Sequence, residues 1–216
     1  MVFSFFRSGD HTLDHVDHEV AAMLGDCRHS LDLALSTLTA GDGDIGPVGE
    51  EIRATDRRIN ASEETVRRDL IVHTTVQGGS DVGSVMSSIL AVKKLERVGD
   101  QAKNIFDLAD EGVRFTAVDD AAELRALGVE VSGRLAEAAS LLADPSDARL
   151  REFVDACEER MTDLDARVNG LIHSDEPARH AVPRAMFFRY LKRIVANVVG
   201  AVEVLLQPLD RRDRDE

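Results

Sequence analysis

The chain has 216 residues and a formal net charge of −14, with 40 acidic and 26 basic side chains. A chain of this length can bury a substantial core in one or two domains. Its acidic balance argues against binding to nucleic acid and against direct adhesion to anionic lipid, since both select basic surfaces. Only 4% of the residues are aromatic, and this composition favours helices over a β-sandwich.

Apolar periodicity, interrupted by glycine and proline, predicts six helices. We expect them at about residues 13–38, 48–77, 82–111, 121–142, 148–172 and 182–206. The longest apolar run, residues 194–206, is too short and too polar to span a membrane. The opening residues Met1–Phe6 are apolar but too few for a secretory signal, so we expect them to pack on the end of a bundle or on a partner. Cys27 and Cys157 have no zinc spacing and are interpreted as reduced, buried thiols of a cytoplasmic protein.

Three helices followed by three helices indicate a duplication. Residues 55–60 of the second helix are echoed by residues 164–169 of the fifth, and residues 95–98 of the third by residues 191–194 of the sixth. The sequence therefore predicts an all-α fold of two tandem three-helix bundles. The first repeat is expected at residues 1–115 and the second at 116–216. We expect the bundles to lie end to end, without a flexible linker.

A ridge of oxygen-bearing side chains follows one face of the predicted third helix, because residues three and four apart share a helix face. Its members, at spacings i, i+4, i+8 and i+11, are Glu96, Asp100, Asn104 and Asp107. The second helix adds three more such side chains, Asp56, Asn60 and Glu63. Since Asp56 and Glu96 are symmetric about residue 76, near the connecting turn, we expect the two sets to face each other. Hard cations prefer such oxygens; the alternative interpretation is a solvated acidic face.

The residue order of the third helix is specific. Its segment Leu95–Ile105 reads Leu-Glu-Arg-Val-Gly-Asp-Gln-Ala-Lys-Asn-Ile. This resembles the signature of the PhoU family, the negative regulators of phosphate uptake, which reads Glu-Arg-Ile-Gly-Asp-x-x-x-Asn-Ile. The resemblance implies two three-helix bundles whose second and third helices hold metal ions with carboxylates. For this chain it implies a site for Mg, Ca, Mn or Fe with Asp56, Glu96 and Asp100 as ligands and Asn60, Glu63, Asn104 and Asp107 beside them.

The second repeat departs from this pattern. At the positions that match Glu96, Asp100 and Asn104 stand Lys192, Ala196 and Gly200, although Asp165 and Glu203 remain. A cation site needs several anionic oxygens, and an ammonium repels a metal ion. We therefore predict that the second metal site is lost and that Lys192 forms a salt bridge with Asp165 across the hairpin.

The resemblance implies a cytoplasmic regulatory adaptor of phosphate homeostasis. Its expected partners are the ATPase subunit of a phosphate ABC transporter, a phosphate-sensing histidine kinase and a second copy of itself in a homodimer, with the membrane reached only through the transporter. No Glu-x-x-His, phosphate-binding glycine loop or Gly-x-Ser-x-Gly motif occurs, so we do not expect an enzyme. The alternatives are a metal-binding or storage bundle, and an accessory protein of another phosphate permease.

Overall fold

The computed structural model describes residues 11–39, 43–77, 82–116 and 118–207, with side chains from residue 15 onward. Six α-helices and no strand occur within these ranges. The helices are α1 (His11–Thr39), α2 (Gly46–Gln77), α3 (Val82–Asp110), α4 (Ala121–Ala143), α5 (Asp147–Ile172) and α6 (Ala178–Leu206). The prediction of an all-α fold is confirmed. The expected packing of Met1–Phe6 lies outside the described residues.

The helix ends differ from the predicted ones by at most four residues. The largest difference is at α6, which begins at Ala178 directly after Pro177 rather than at Val182. Pro183 lies inside this helix, where it has no N–H to donate to the carbonyl oxygen of Arg179 four residues earlier. No helix in the described part of the chain is both long enough and apolar enough to cross a membrane.

The two sets of three helices lie side by side. Helices α1, α2 and α3 pack together, and α4 and α5 both pack against α6. Between the sets, α3 packs along α6 and α1 packs along α4. The prediction of an end-to-end arrangement is therefore wrong. The physical reason lies in α3 and α6, which bury residues on more than one face and need apolar partners on two sides.

One continuous hydrophobic core results from this arrangement, with α3 and α6 at its centre. Close approach is visible at Gly99, where an added Cβ would come within 2.9 Å of the Ile59 Cδ1 atom. Cys27 is buried and its thiol donates a hydrogen bond to the carbonyl oxygen of Leu95 at 3.2 Å. Cys157 is also a buried free cysteine, so the interpretation of both cysteines as buried thiols is confirmed.

The register of the α2–α3 hairpin differs from the predicted one. Arg53 pairs with Asp110, and Asp56 pairs with Lys103, each at 3.4 Å. These pairs are symmetric about positions between 79 and 82, after the end of α2 at Gln77, and not about residue 76, which lies inside α2. Asp56 therefore lies opposite Lys103, about two helical turns from the predicted partner, Glu96.

Candidate functional site

Two carboxylates from different helices meet at the side chain of Lys103. Its Nζ atom lies 3.4 Å from Asp56 Oδ2 on α2 and 3.6 Å from Asp100 Oδ1 on α3. Desolvation acts to lower the pKa of Lys103, but the two carboxylates outweigh it and raise the pKa above its ordinary value. The chain therefore holds an ammonium ion at a point toward which two carboxylates converge.

The two glutamates of the predicted set are paired within their own helices. Lys93 Nζ lies 2.9 Å from Glu96 Oε2, and Arg67 Nη1 lies 3.2 Å from Glu63 Oε1. Both carboxylates are largely covered, with 15% and 11% of their side-chain surfaces exposed. The contact between Lys93 and Glu96 is an ion pair without hydrogen-bond geometry, so the buried Glu96 Oε2 accepts no hydrogen bond. A buried carboxylate oxygen in this condition is costly unless a cation offsets it.

The remaining members of the predicted set do not join this cluster. Asn60 and Asp107 are exposed, and Asn104 is half-buried. Partial desolvation raises the pKa of Asp107, while the nearby cations Lys103 and Arg53 act to lower it. Across the described ranges, no three His, Cys, Asp or Glu side chains are grouped so that they could hold one metal ion.

The donor chemistry of this cluster fits a hard cation. Asp56 and Asp100 offer carboxylate oxygens around one point, and Glu96 Oε2 is a buried oxygen that pairs with the ammonium of Lys93 but accepts no hydrogen bond. Such oxygens are the ligands of Mg²⁺, Ca²⁺ and Mn²⁺. The ammonium of Lys103 lies between Asp56 and Asp100, at the position that a metal ion bound by both carboxylates would take. Such an ion would have to displace it. Lys103 was missed by the sequence analysis, although its position three residues after Asp100 places it on the acidic ridge.

Comparison with known proteins supports the resemblance seen in the sequence. The family model of the PhoU domain matches residues 20–109, a range that contains every predicted metal ligand. By this match, residues 20–109 are similar to the PhoU domain. The fold is similar to that in the crystal structure of PhoU from Pseudomonas aeruginosa, with a TM-score of 0.70 and 20% sequence identity. The likeness covers 90% of this chain and 95% of that one, and it therefore extends the PhoU fold to the second repeat. No curated protein matches the chain.

In the second repeat of this PhoU fold, lysine ammonium groups lie near the positions that match the carboxylates of the first repeat. Lys192 forms an ion pair with Asp165, so the predicted salt bridge is confirmed. At Gly200, an added Cβ would come within 2.6 Å of the Nζ atom of Lys94. Lys94 belongs to α3 of the first repeat and was not foreseen from the sequence. The ammonium group of Lys94 thus lies near Gly200, and that of Lys192 pairs with Asp165 of α5. The loss of a second metal site stays a prediction.

Proposed function

We propose that this chain is a cytoplasmic regulatory adaptor of phosphate homeostasis, which restrains phosphate uptake and phosphate-starvation signalling when phosphate is plentiful. The observation that carries the proposal is the PhoU domain at residues 20–109. The fold, which is similar to that of a bacterial PhoU over 90% of the chain, supports it. We infer that the chain acts by binding other proteins and not by catalysis.

The proposed partners are the ATPase subunit of a phosphate ABC transporter and a phosphate-sensing histidine kinase, and we propose a homodimer as the working form. The net charge of −14 favours partners with basic contact surfaces. Light scattering coupled to size-exclusion chromatography tests the dimer, and a monomer across micromolar concentrations would contradict it.

Deletion of the gene in its own organism tests the regulatory role. In phosphate-rich medium we expect the deletion strain to take up more phosphate and to express phosphate-starvation genes, because the restraint is lost. Deleting the ABC transporter in the same strain should remove the excess uptake. If the excess uptake persists, it comes from a different phosphate permease, which contradicts the proposed ABC partner and favours the accessory-protein alternative. Unchanged uptake and gene expression in the first strain would contradict regulation altogether.

We also propose that the first repeat binds a divalent or trivalent cation through Asp56, Glu96 and Asp100, with Mg, Ca, Mn or Fe as candidates. The buried Glu96 Oε2 and the two carboxylates around Lys103 support this proposal. Millimolar divalent ion should raise the melting temperature of the wild-type protein, and the double variant Glu96→Ala/Asp100→Ala should lose this response. A wild-type protein that shows no ion-dependent shift would contradict the metal site.

The same buried oxygen favours a second candidate function, a metal-binding or storage bundle without a transport partner. The two functions differ in what the double variant does in cells. For a metal-dependent regulator, Glu96→Ala/Asp100→Ala should reproduce the uptake phenotype of the deletion. For a storage protein, it should lower the cellular content of the bound metal and leave phosphate uptake unchanged.

A further inference from the structure

A cavity of about 390 Å³ lies where the segment after α3 meets the first turns of α6. It is separate from the carboxylate cluster around Lys103 and is mainly basic, in contrast to the acidic chain as a whole. The charged and titratable side chains in its lining are Arg114, Arg179, Arg184, His180 and Glu111. Its volume is in the range of small-molecule sites in proteins.

The three arginines differ in what neutralises them. Arg184 is fixed by two carboxylates, Asp120 at 2.8 Å and Glu176 at 3.0 Å. Arg114 and Arg179 have no carboxylate within ion-pair distance among the described residues. Uncompensated guanidinium groups that line a concave surface are suited to bind an anion, because each presents several N–H donors in one plane.

Arg114 is held in place by the backbone. Its Nη1 atom donates hydrogen bonds to the carbonyl oxygens of Ala109, at 2.6 Å, and Val113, at 2.8 Å. These bonds close the carboxyl end of α3, whose last carbonyl groups lack helical partners. The Nε atom of Arg114 is buried and has no hydrogen-bond partner. A bound anion would therefore meet a guanidinium whose position is already set.

The amino end of α6 adds positive potential on the other side of the cavity. A helix N-terminus carries a partial positive charge and free N–H groups, and acidic residues usually offset it. The first turn of α6 has no acidic residue, and Arg179 and His180 occupy it instead. The Nε atom of Arg179 donates to His180 Nε2 at 2.8 Å. The positive end of the α6 dipole and the Arg179 guanidinium thus lie together at this helix end, and a bound anion would offset both.

We propose that this cavity binds a phosphate-bearing anion between Arg114 and the first turn of α6, with Arg179 as its second cationic contact. Arg184, held by Asp120 and Glu176, forms the fixed wall of the site. Glu111 is the carboxylate in the lining and directs the anion toward the arginines. The cavity is large enough for inorganic phosphate with water or for the phosphoryl group of a small metabolite. This inference goes beyond the regulatory role, although its choice of phosphate among oxyanions rests on the proposed function.

Isothermal titration calorimetry on the full chain, without added divalent metal and at constant ionic strength, tests the proposal. The probes are inorganic phosphate, ADP and sulfate. We expect phosphate or ADP to bind and sulfate to bind at least tenfold more weakly. Tighter binding of inorganic phosphate assigns the site to the free ion, and tighter binding of ADP assigns it to a phosphoryl group on a nucleotide. No binding of either, or equal binding of sulfate, would overturn the proposal.

Substitution of the cavity arginines tests whether the anion binds in this cavity. Arg179→Gln leaves the backbone contacts of Arg114 in place and should weaken binding at least tenfold, and Arg114→Gln/Arg179→Gln should abolish it. Arg151→Gln, on the exposed surface of α5 away from the cavity, is the matched control and should bind as the wild type does. Circular dichroism checks that each variant keeps its helices. Wild-type affinity in a folded Arg179→Gln protein would place the anion elsewhere and contradict the assignment.

Discussion

Lys103 occupies the point where the proposed metal ion would bind in the first repeat, because it pairs with carboxylates from both α2 and α3. Replacing it by methionine removes the ammonium while keeping most of the apolar stem. We expect Lys103→Met to be less stable than the wild type by about 1 kcal/mol in the absence of divalent ions, since Asp56 and Asp100 lose their shared cation. We expect Mg²⁺ or Mn²⁺ to raise its melting temperature more than that of the wild type.

Lys192→Met is the matched control for this experiment. It removes a lysine of the second repeat that pairs with one carboxylate, Asp165. The positions of α6 that match Asp100 and Asn104 are Ala196 and Gly200, which offer no side-chain oxygen. We expect a comparable loss of stability without any added response to divalent ions. Equal responses to ions in Lys103→Met and in the wild type would show that Lys103 does not occupy a metal position.

Cys157 predicts a pH dependence of stability. Burial raises its pKa from 9.0 to about 11, although Arg134 acts to lower it. The folded state therefore keeps the neutral thiol, and the unfolded state ionises first as the pH rises. The stabilisation is complete below pH 9 and is lost between pH 9 and 11, by about 1–3 kcal/mol.

Urea unfolding at pH 7.5, 9 and 10.5 measures this effect against a Cys157→Ala variant. The variant should be less stable at neutral pH because it leaves a cavity, but its free energy of unfolding should fall less between pH 9 and 10.5. Cys27, whose pKa is also raised by burial, is present in both proteins and cancels in the difference. Parallel pH profiles would contradict a buried neutral thiol at Cys157.

At the scale of single residues, the sequence indicated where carboxylates lie on the helices better than it indicated the cations that pair with them. The pair Lys192–Asp165 was predictable because a lysine replaces a ligand in an otherwise repeated pattern. Lys103 and Lys94 were missed because a long flexible side chain reaches across helices, and its target depends on tertiary contacts. Lys94 reaches Gly200 of another repeat, a contact that no spacing within one helix contains.

At the scale of helices, two glycines with different surroundings predict opposite effects of substitution by alanine. An added Cβ at Gly49 would lie 2.5 Å from the Cζ atom of Phe106, a fully buried ring. Gly49→Ala should destabilise the protein by about 1–3 kcal/mol through overpacking. At Gly133 of α4, an added Cβ meets nothing within 4 Å. Gly133→Ala should stabilise the protein by about 0.5–1 kcal/mol, because alanine favours the helix.

Urea unfolding of the two variants beside the wild type measures both changes. Gly133→Ala serves as the control because it reports the helix preference of alanine without new contacts. Equal stabilisation by both substitutions would mean that α2 and Phe106 do not approach as closely as the packing indicates.

The ends of the helices were predictable from the sequence, but the register between α2 and α3 was not. Glycine and proline mark where a helix stops, whereas register depends on where the turn has its centre. The true centre lies later than residue 76 by about three to six positions. Because a residue's partner moves by twice the shift of the centre, α3 slides along α2 by about two to three helical turns, which keeps nearly the same faces in contact. For this reason the carboxylates were predicted on the facing sides, yet Asp56 lies opposite Lys103 instead of Glu96.

At the scale of the whole molecule, tertiary contacts connect the two repeats in addition to the chain segment between them. The backbone N–H of Phe115, in the connecting segment, donates to the carbonyl oxygen of Leu38 at the end of α1 at 2.8 Å. Its ring makes an edge contact with Phe187 of α6. The repeated sequence pattern defines the core of each bundle, but it does not encode how two bundles meet. The side-by-side arrangement depended on second buried faces of α3 and α6, which a single apolar stripe per helix did not predict.

This shared core predicts that the two repeats unfold together. Cys27 in α1 and Cys157 in α5 are fully buried thiols, one in each repeat, so they report separately on the two halves of the unmodified protein. With α3 packed along α6, unfolding one half would expose the apolar face of the other. We therefore expect both thiols to become reactive toward a maleimide at the same urea concentration, as measured by mass spectrometry of the labelled peptides. Labelling of Cys157 at a lower urea concentration than Cys27 would instead mean that the second repeat opens while the PhoU domain stays folded, and that the contact between α3 and α6 contributes little to stability.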